Sequence, residues 1–435
     1  MSSGVPSADP SITVFGMRPL LKPTLTVGAA ALLVITSCTD DAGNAQDTAP
    51  STAQPAPAES TEPTRESDGV LTIGVLLPQT GEGSSIGNPG IAAATQAVNE
   101  INTAGGVLSQ PVRLVIADEG VTLEESQAGV DSLLSQNVDA IVGPASSAVA
   151  MDVLDELMAA GVVTCSPTAT SMALDDYPNR ELFFRTIPSD SLTAVGIAGQ
   201  ASRTGVTAAT VVFLDDAFGR PLARAVSASL STRSIETNPD VLLRPDDDDY
   251  ADEARALAES SPGTIVLIAD GVHGWQMLDA LAAAFDDPPN IIVNDPMRSI
   301  DFSSHAVALP PVFREAIEGV SPNGSPTEDG EPAGPFATNS YDCVNLIALA
   351  AVASESDDPA AIAAEIRAVA VEGADCKTFD ECADKISRNN NVNYEGPRGR
   401  VFIGENGDTS SALVKIFWFD EAGLAHDPGG LGVTY

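Results

Sequence analysis

The chain has 435 residues and a formal net charge of −40, because 61 acidic residues outnumber 21 basic ones. So acidic a chain excludes nucleic acid as a natural partner, since the phosphate backbone is itself an anion, and it argues against binding to an anionic membrane surface. The hydrophobic fraction of 43% is ample for a packed core, and the length suits about two domains.

The first 37 residues predict an export signal. Arg18 and Lys22 precede an apolar stretch over residues 26–37 (TVGAAALLVITS), which ends in two small residues, the pattern of a cleaved signal peptide. About twelve apolar residues are too few to span a bilayer, which needs about twenty. Met1 and Met17 are both candidate start sites, and in the second case residues 1–16 are an upstream extension.

Cys38 follows directly after this signal. The segment Ile35-Thr36-Ser37-Cys38 resembles the lipobox of bacterial lipoproteins, whose cysteine is acylated and becomes the new N-terminus. This resemblance implies an extracytoplasmic protein that is anchored to the cell membrane by a lipid on Cys38. An ordinary signal peptide followed by an incidental thiol is the alternative. Residues 38–68 are rich in Ser, Thr, Ala, Pro and acidic residues, which predicts a disordered tether.

From residue 70 onward, predicted strands and helices alternate. The near-continuous apolar run over 71–77 is typical of a strand that is buried on both faces. A Gly/Ser loop over 81–87 and a helix over 91–101 follow it. Further predicted strands are 112–117, 140–142, 162–165, 208–214, 241–243, 264–269 and 291–293, and further helices are 123–135, 147–160, 191–204, 221–231, 250–260 and 275–285. Such alternation predicts parallel sheets with helices on both faces.

The last third of the chain has a different pattern. Strongly helical stretches over 339–354 and 359–369 are followed by two segments, 399–403 and 412–418, that predict paired strands. Cys376 and Cys382 stand six residues apart among polar neighbours, which predicts a local disulfide in an exported protein. Cys165 and Cys343 lie within apolar stretches. Buried free thiols that pack like small hydrophobes are the simplest interpretation, and the sequence does not fix their redox state.

Several chemical motifs are absent or imperfect. Residues 81–87 read G-x-G-x-x-x-G, and the next acidic residue at a strand end, Asp118, is more than thirty residues further on, whereas a dinucleotide fingerprint needs about twenty. Three histidines without a cysteine at metal spacing argue against zinc, and no G-x-S-x-G elbow accompanies them. The sequence therefore predicts no cofactor, no metal and no catalysis.

The order of segments resembles a known family. The stretches are VLLPQTGEGSSIG, AVNEINTAGGV, IVGPASSAVA, VVTCSPTAT, FFRTIPSDS, VVFLDDAFG and LIADGVHG. Together they are similar to the type I periplasmic binding proteins, in particular the branched-chain amino acid type receptors of ABC importers, and the likeness extends over residues 70–435. It implies an α/β fold of two flavodoxin-like, doubly wound lobes that are joined by three crossover segments, near 187–190, 319–322 and 398–402. Lobe I would be 69–188 plus 321–398, and lobe II would be 189–320 plus 399–435.

In an open parallel sheet, ligands bind outside the carboxyl ends of the strands, where helix N-termini suit a carboxylate. Ser146 and Ser147 begin a predicted helix, and Thr168, Ala169 and Thr170 follow the next strand. The resemblance implies that Ser147, Thr168 and Thr170 hold a ligand carboxylate. N-capping is the alternative role of the two serines. Loop 81–87 would cover the site, although Ile86 stands where relatives often have an aromatic residue.

The resemblance also names residues in the second lobe. Phe218 stands where relatives commonly have Tyr, and Asp270, His273 and Asp295 lie at predicted strand ends. Asp295 aligns with the acid that binds the ligand ammonium in amino-acid receptors, and a solvated loop carboxylate is the alternative. Phe336 aligns with an apolar contact to the ligand side chain, for which Trp275 is the other candidate.

The sequence thus predicts a receptor rather than an enzyme. Its two lobes would close on a small polar molecule, an amino acid or a related amide or acid, and deliver it to an ABC permease. The first alternative is a ligand-sensing subunit that docks on a membrane signalling protein. The second is an extracytoplasmic hydrolase of the same fold class.

Overall fold

The computed structural model describes residues 67–81, 83–247, 249–322, 332–371, 373–397 and 399–434. The export signal, Cys38 and the tether up to residue 66 lie outside these ranges. Within them, no helix is both long enough and apolar enough to cross a membrane.

The first half of the described chain forms a parallel five-stranded sheet in the order β2-β1-β3-β4-β5. Its elements are β1 Thr72–Leu77, α1 Ser84–Thr103, β2 Arg113–Asp118, α2 Leu123–Leu134, β3 Ala140–Val142, α3 Ser147–Ala159, β4 Val163–Ser166 and β5 Phe183–Arg185. Every residue of β1 is buried. Val75 packs in the core beneath α1, whereas Leu76 faces the core between the sheet and α2 and α3. Helices therefore cover both faces, and the apolar run in the sequence is explained.

The second sheet repeats this strand order. Its parallel part comprises β6 Ala208–Leu214, β7 Glu236–Thr237, β8 Val241–Leu243, β9 Thr264–Ile268, β10 Asn290–Asn294 and β11 Ile317–Ser321. The helices are α4 Asp190–Arg203, α5 Gly219–Thr232, α6 Ala251–Ser260, α7 Gly271–Ala284, α8 Ser303–Ala308 and α9 Pro311–Glu315. Strands β8, β6, β9, β10 and β11 are neighbours in that order, which is the flavodoxin-like order 2-1-3-4-5.

Side chains of β6 show that helices cover both faces of this sheet. Val211 and Phe213 pack in the cluster of α4 and α5, whereas Val212 and Leu214 pack in the cluster of α6 and α7. Successive residues of a strand point to opposite faces, so a strand that is covered on both faces must be apolar throughout.

The last third of the chain returns to the first sheet and then joins the second. It comprises α10 Ala337–Ser354, α11 Pro359–Val371, β12 Ala374–Cys376, α12 Phe379–Ser387, β13 Val392–Gly396, β14 Gly399–Arg400, β15 Phe402–Ile403, β16 Thr409–Phe419 and β17 Ala425–Thr434. Helices α10 and α11 belong to the core that contains β1. Strand β16 pairs antiparallel with β11, β15 and β17.

The chain passes between the two sheets three times. The first crossover runs from β5 to α4 and the second from β11 to α10. The third runs from β14 to β15, because β12, β13 and β14 form a small sheet that shares the core of the first half. The predicted class of two doubly wound lobes with three crossovers is confirmed.

Two helices begin four or more residues earlier than the sequence predicts. Helix α1 begins at Ser84 rather than residue 91, and α7 begins at Gly271 rather than residue 275. Their first turns, SSIG and GVHG, contain glycines, which are poor helix formers, and only one large apolar residue each, so the apolar periodicity starts in the second turn. Much of the predicted loop 81–87 is therefore helix. At Gly87 a Cβ would lie 1.9 Å from the carbonyl oxygen of Pro78, and only glycine permits this contact.

The structure pairs all four cysteines of the described chain. The predicted bridge between Cys376 and Cys382 is confirmed. The interpretation of Cys165 and Cys343 as free thiols is wrong, because they form a disulfide with their Cα atoms 5.7 Å apart. The bridge joins β4 to α10 across 178 residues of sequence. Burial among apolar residues fits a thiol and a disulfide equally well, so the sequence could not distinguish them.

Candidate functional site

Each sheet has a switch point where the strand order reverses, between β1 and β3 in the first sheet and between β6 and β9 in the second. Ligands of open α/β sheets bind in the crevice outside the carboxyl ends of these strands. Ser146 and Ser147 follow β3, Phe218 follows β6, and Asp270 follows β9. The topology therefore places these four predicted residues beside the two switch points, whereas Thr168, Ala169 and Thr170 follow β4 and Asp295 follows β10.

The N-terminus of α3 is partly occupied by a side chain of the protein itself. The backbone N–H groups of Ala145 and Ser146 donate to the Glu119 carboxylate at 2.6 and 2.8 Å. Ser146 is the N-cap, and its Oγ accepts from the N–H of Val149 at 3.4 Å. Those two amides are thus engaged by Glu119, and a bound carboxylate would need other donors.

Glu119 itself was not predicted as a functional residue. It follows β2 directly and is only 1% exposed. Burial raises the pKa of its carboxyl group to about 7, although the hydrogen bonds from Ala145 and Ser146 favour the charged form. The only sequence signal is its place at a strand end, since its partners lie 26 and 27 residues further along the chain.

Hydrogen bonds from and to hydroxyl groups join the two segments that follow β3 and β4 of the first sheet. Thr168 Oγ1 donates to the carbonyl oxygen of Ala145 at 2.6 Å, and Ser147 Oγ accepts from the N–H of Ser171 at 3.2 Å. Among the described residues Ser147 Oγ is only an acceptor, so its hydrogen can still be donated. Ser147 is half-buried. It is therefore the predicted hydroxyl best suited to donate to a ligand oxygen.

A buried arginine holds the loop after β4, and the sequence did not predict this role. Arg185 is fully buried, and its Nη1 donates to the carbonyl oxygens of Ala169 and Ser171 at 3.2 and 3.0 Å. Its Nε and Nη2 bind Asp408 and Asp175, each at 2.6 Å. Arg185 therefore fixes the backbone that carries Thr168 and Thr170.

Asp190 begins α4 beside this loop. Its N–H donates to the carbonyl oxygen of Thr170 at 2.8 Å. Burial raises the pKa of Asp190 to about 7, while a hydrogen bond from Thr170 and the charge of Arg185 favour the ionised form. The first crossover and the predicted ligand loop are thus held together.

Asp270 and His273 cap a helix in the second sheet. Asp270 Oδ1 accepts from the N–H of His273 at 2.8 Å, and its Oδ2 lies 2.7 Å from His273 Nδ1. His273 Nε2 lies 3.2 Å from the carbonyl oxygen of Pro245. Their polar atoms are therefore engaged within this half of the fold.

Asp295 begins a single helical turn after β10 and has a cation nearby. Arg298 Nη1 lies 3.8 Å from Asp295 Oδ1 and donates to Ser321 Oγ at 3.0 Å. Arg298 Nη2 lies 3.8 Å from Asp427 Oδ2. A ligand ammonium at Asp295 would therefore compete with Arg298, which the sequence analysis did not single out.

The aromatic candidates differ in their surroundings. Phe218 and Phe336 are half-buried, whereas Trp275 is 1% exposed and donates from Nε1 to the carbonyl oxygen of Met297 at 3.1 Å. Trp275 is therefore a core residue. Phe336 has a left-handed φ of 55°. This conformation is costly for a residue other than glycine, and such strain tends to occur at functional sites.

The structure thus brings the predicted residues together in two groups. Ser146, Ser147, Thr168, Ala169 and Thr170 form one loop pair on the first sheet. Phe218, Asp270, His273 and Asp295 follow the strands of the second sheet, and Phe336 precedes α10.

Comparison with known proteins agrees with this architecture. The family model described as "Periplasmic binding protein" matches residues 70–306, more than half of the chain. A Leu/Ile/Val-binding protein of Rhizobium johnstonii is 26% identical over 365 residues, with 80% of this chain and 91% of the relative covered. A leucine-, isoleucine-, valine-, threonine- and alanine-binding protein of Pseudomonas aeruginosa is 24% identical, with 81% and 91% covered.

Among solved structures, a substrate-binding protein of an ABC transporter from Desulfitobacterium hafniense, in complex with Leu, superimposes with a TM-score of 0.65. It is 21% identical, and the match covers 82% of this chain and 99% of that one. At this level of identity the likeness concerns the fold.

Proposed function

Because this chain belongs to the periplasmic binding protein family, whose members are extracytoplasmic solute receptors, we propose that it encloses a small polar solute between its two lobes without catalysis. The observation that carries this proposal is the repeated strand order, which gives each lobe a switch point with polar side chains beside it. Closure at the crossovers would bury the solute, and the energy of binding would shift the equilibrium toward the closed form.

The proposed ligand is an α-amino acid with an apolar side chain. Its carboxylate would accept a hydrogen bond from Ser147, and Thr168 and Thr170 would join by exchanging their present bonds to Ala145 and Asp190 for the ligand. Asp295 would bind its ammonium group. The related proteins of Rhizobium johnstonii and Pseudomonas aeruginosa, which are named for binding such amino acids, support this choice. Phe218 and Phe336 are the proposed apolar contacts, and Asp270 and His273 would border the site.

The proposal extends to the membrane. A lipid on Cys38 would anchor the protein, residues 38–68 would act as a tether, and the loaded receptor would deliver its solute to an ABC permease. The lobes would divide as 69–188 plus 321–398 and 189–320 plus 399–435. Membrane fractionation tests the anchor, because Cys38→Ser should release the protein into the soluble fraction.

A thermal-shift screen of the mature Cys38→Ser protein tests the function. Amino acids, amides and aromatic carboxylates would be compared at equal concentration, and calorimetry would follow on any hit. A ligand present at one hundred times its Kd should add about 2.7 kcal/mol to the free energy of unfolding. Failure of every compound to raise the Tm would contradict the amino-acid proposal, and turnover of a compound would favour an enzyme instead.

A further inference from the structure

A cavity of about 490 Å³ lies at the crossovers. Its wall includes Thr186 from the first crossover, Pro322 from the second and residues 399–402 from the third, together with parts of β16 and β17. None of the residues proposed above for the amino acid lines it. Its volume is in the range of sites for small molecules.

Four ionisable side chains line this cavity, and three of them have partners. Asp342 Oδ1 accepts from the Tyr394 hydroxyl at 2.9 Å, and Arg400 Nε lies 3.0 Å from Glu395 Oε1. Lys415, in contrast, makes no hydrogen bond or ion pair with the residues that the structure describes. An unpaired cation beside a cavity is notable in a chain with a net charge of −40, and it suits an anion.

The surroundings of Lys415 indicate what kind of anion fits. Thr409, Ser411 and Lys415 all line the cavity from β16, and as alternate residues of a strand they share one face. Ser411 adds a hydroxyl group to the cavity wall, whereas the Thr409 hydroxyl already donates to the carbonyl oxygen of Arg185 at 3.1 Å. Phe402 and Val433 supply apolar wall.

We propose that this cavity is a second binding site, which takes a small monocarboxylate with an apolar body and binds its carboxylate at Lys415 Nζ. The crossovers absorb the backbone changes of lobe closure. A ligand that touches all three therefore changes the equilibrium between the open and closed forms. By linkage, this ligand and the amino acid between the lobes change each other's affinity by the same factor. This coupling rests on the proposed function, whereas the site itself does not.

Fluorine NMR with 4-fluorobenzoate as the probe tests the site in the mature Cys38→Ser protein. The wild-type cavity should bind the probe saturably, and Lys415→Gln should weaken binding at least tenfold. Lys377→Gln is the matched control, because it removes an exposed lysine elsewhere, and it should leave binding unchanged. Equal binding by Lys415→Gln and wild type, or no binding at all, would overturn the proposal.

Two further variants distinguish this site from the proposed amino-acid site between the lobes, called the cleft here. A Cβ at Gly432 would meet no atom within 4 Å, so Gly432→Leu should fill the cavity and abolish probe binding while the circular dichroism spectrum stays unchanged. Ser147→Ala should not affect the probe. Loss of binding in Ser147→Ala with retention in Lys415→Gln would place the probe in the cleft and overturn the proposal, even where the proposed function holds.

Discussion

Arg185 Nε and Asp408 Oδ1 lie 2.6 Å apart in a buried ion pair that joins the strand before the first crossover to the turn before β16. The side chain of Asp408 is 1% exposed, and Arg180 Nη2 binds the same Oδ1 at 2.5 Å. One carboxylate therefore pairs with two buried guanidinium groups, and Asp175 is a second partner of Arg185. These contacts connect the first and third crossovers near the loop that carries Thr168 and Thr170.

Asp408→Asn should lower the free energy of unfolding by about 3–5 kcal/mol, because it leaves the buried Arg180 without its counter-charge and Arg185 with Asp175 alone. Urea denaturation measures this change. Asp384→Asn is the matched control, since its pair with Arg388 is 2.7 Å long but exposed, and it should cost at most about 1 kcal/mol. Similar losses in the two variants would contradict the structural role of Asp408.

The elements that the sequence predicts well are those with strong local patterns. Strand β6 matches its predicted range of 208–214, because its apolar run fits only a buried strand. Strand β17 was missed because it contains a proline and several glycines, which are disfavoured within strands. It pairs only with β16 at the edge of the sheet, where these residues are tolerated.

The candidate site was predictable at its strand ends but not in its supporting contacts. The position of Ser147 at the start of α3 follows from a local pattern of strand, turn and helix. Arg185, in contrast, contacts carboxylates that lie 10 and 223 residues away in sequence. Such pairings depend on the tertiary fold, and a single sequence contains no signal for them.

Glu119 should make stability depend on pH. Its folded pKa of about 7 lies above the ordinary value of 4.5 because the carboxyl group is buried. Its contribution to stability is therefore fully present below about pH 4.5 and is lost as the pH rises through 7, a change of about 3 kcal/mol.

Glu119→Gln should remove this dependence. Urea denaturation at pH 5, 6, 7 and 8 would show the wild type losing stability relative to the variant as the pH rises. Glu124→Gln, which removes an exposed carboxylate from α2, is the control. A constant difference between the wild type and Glu119→Gln across this range would contradict the prediction.

The two disulfides should differ in their contribution to stability. In the chain-entropy account, a bridge stabilises by restricting the unfolded chain, more strongly for a longer loop. The separations of 178 residues for Cys165–Cys343 and 6 residues for Cys376–Cys382 correspond to about 5 and about 2 kcal/mol.

Paired Cys→Ala variants of each bridge, compared by urea denaturation under oxidising conditions, measure the two contributions. The Cys165/Cys343 variant should be the less stable of the two. Since β4 carries the loop with Thr168, this variant should also bind the amino acid more weakly. Equal stability of the two variants would favour an explanation other than restriction of the unfolded chain.

Ser147→Ala should weaken binding of the amino acid about tenfold or more, because it removes a hydroxyl that can donate to the carboxylate. The Tm of the free protein should change little, since Ser147 is only half-buried and Ser146 provides the helix cap. Calorimetry measures the affinity. Ser132→Ala, at an exposed position of α2, is the control and should bind as the wild type does.

Asp295→Ala separates ligands by their ammonium group. It should weaken the binding of an α-amino acid by about tenfold to a hundredfold, as expected for a charged hydrogen bond. The affinity for a carboxylic acid that lacks the amine should not change. Arg298 retains Asp427 and Ser321 as partners in this variant, so the fold should persist. Asp301→Ala, which removes an exposed carboxylate six residues further on, is the matched control. If Asp295→Ala weakens the binding of neither ligand, or of both equally, Asp295 is a partner of Arg298 rather than the residue that binds the amine.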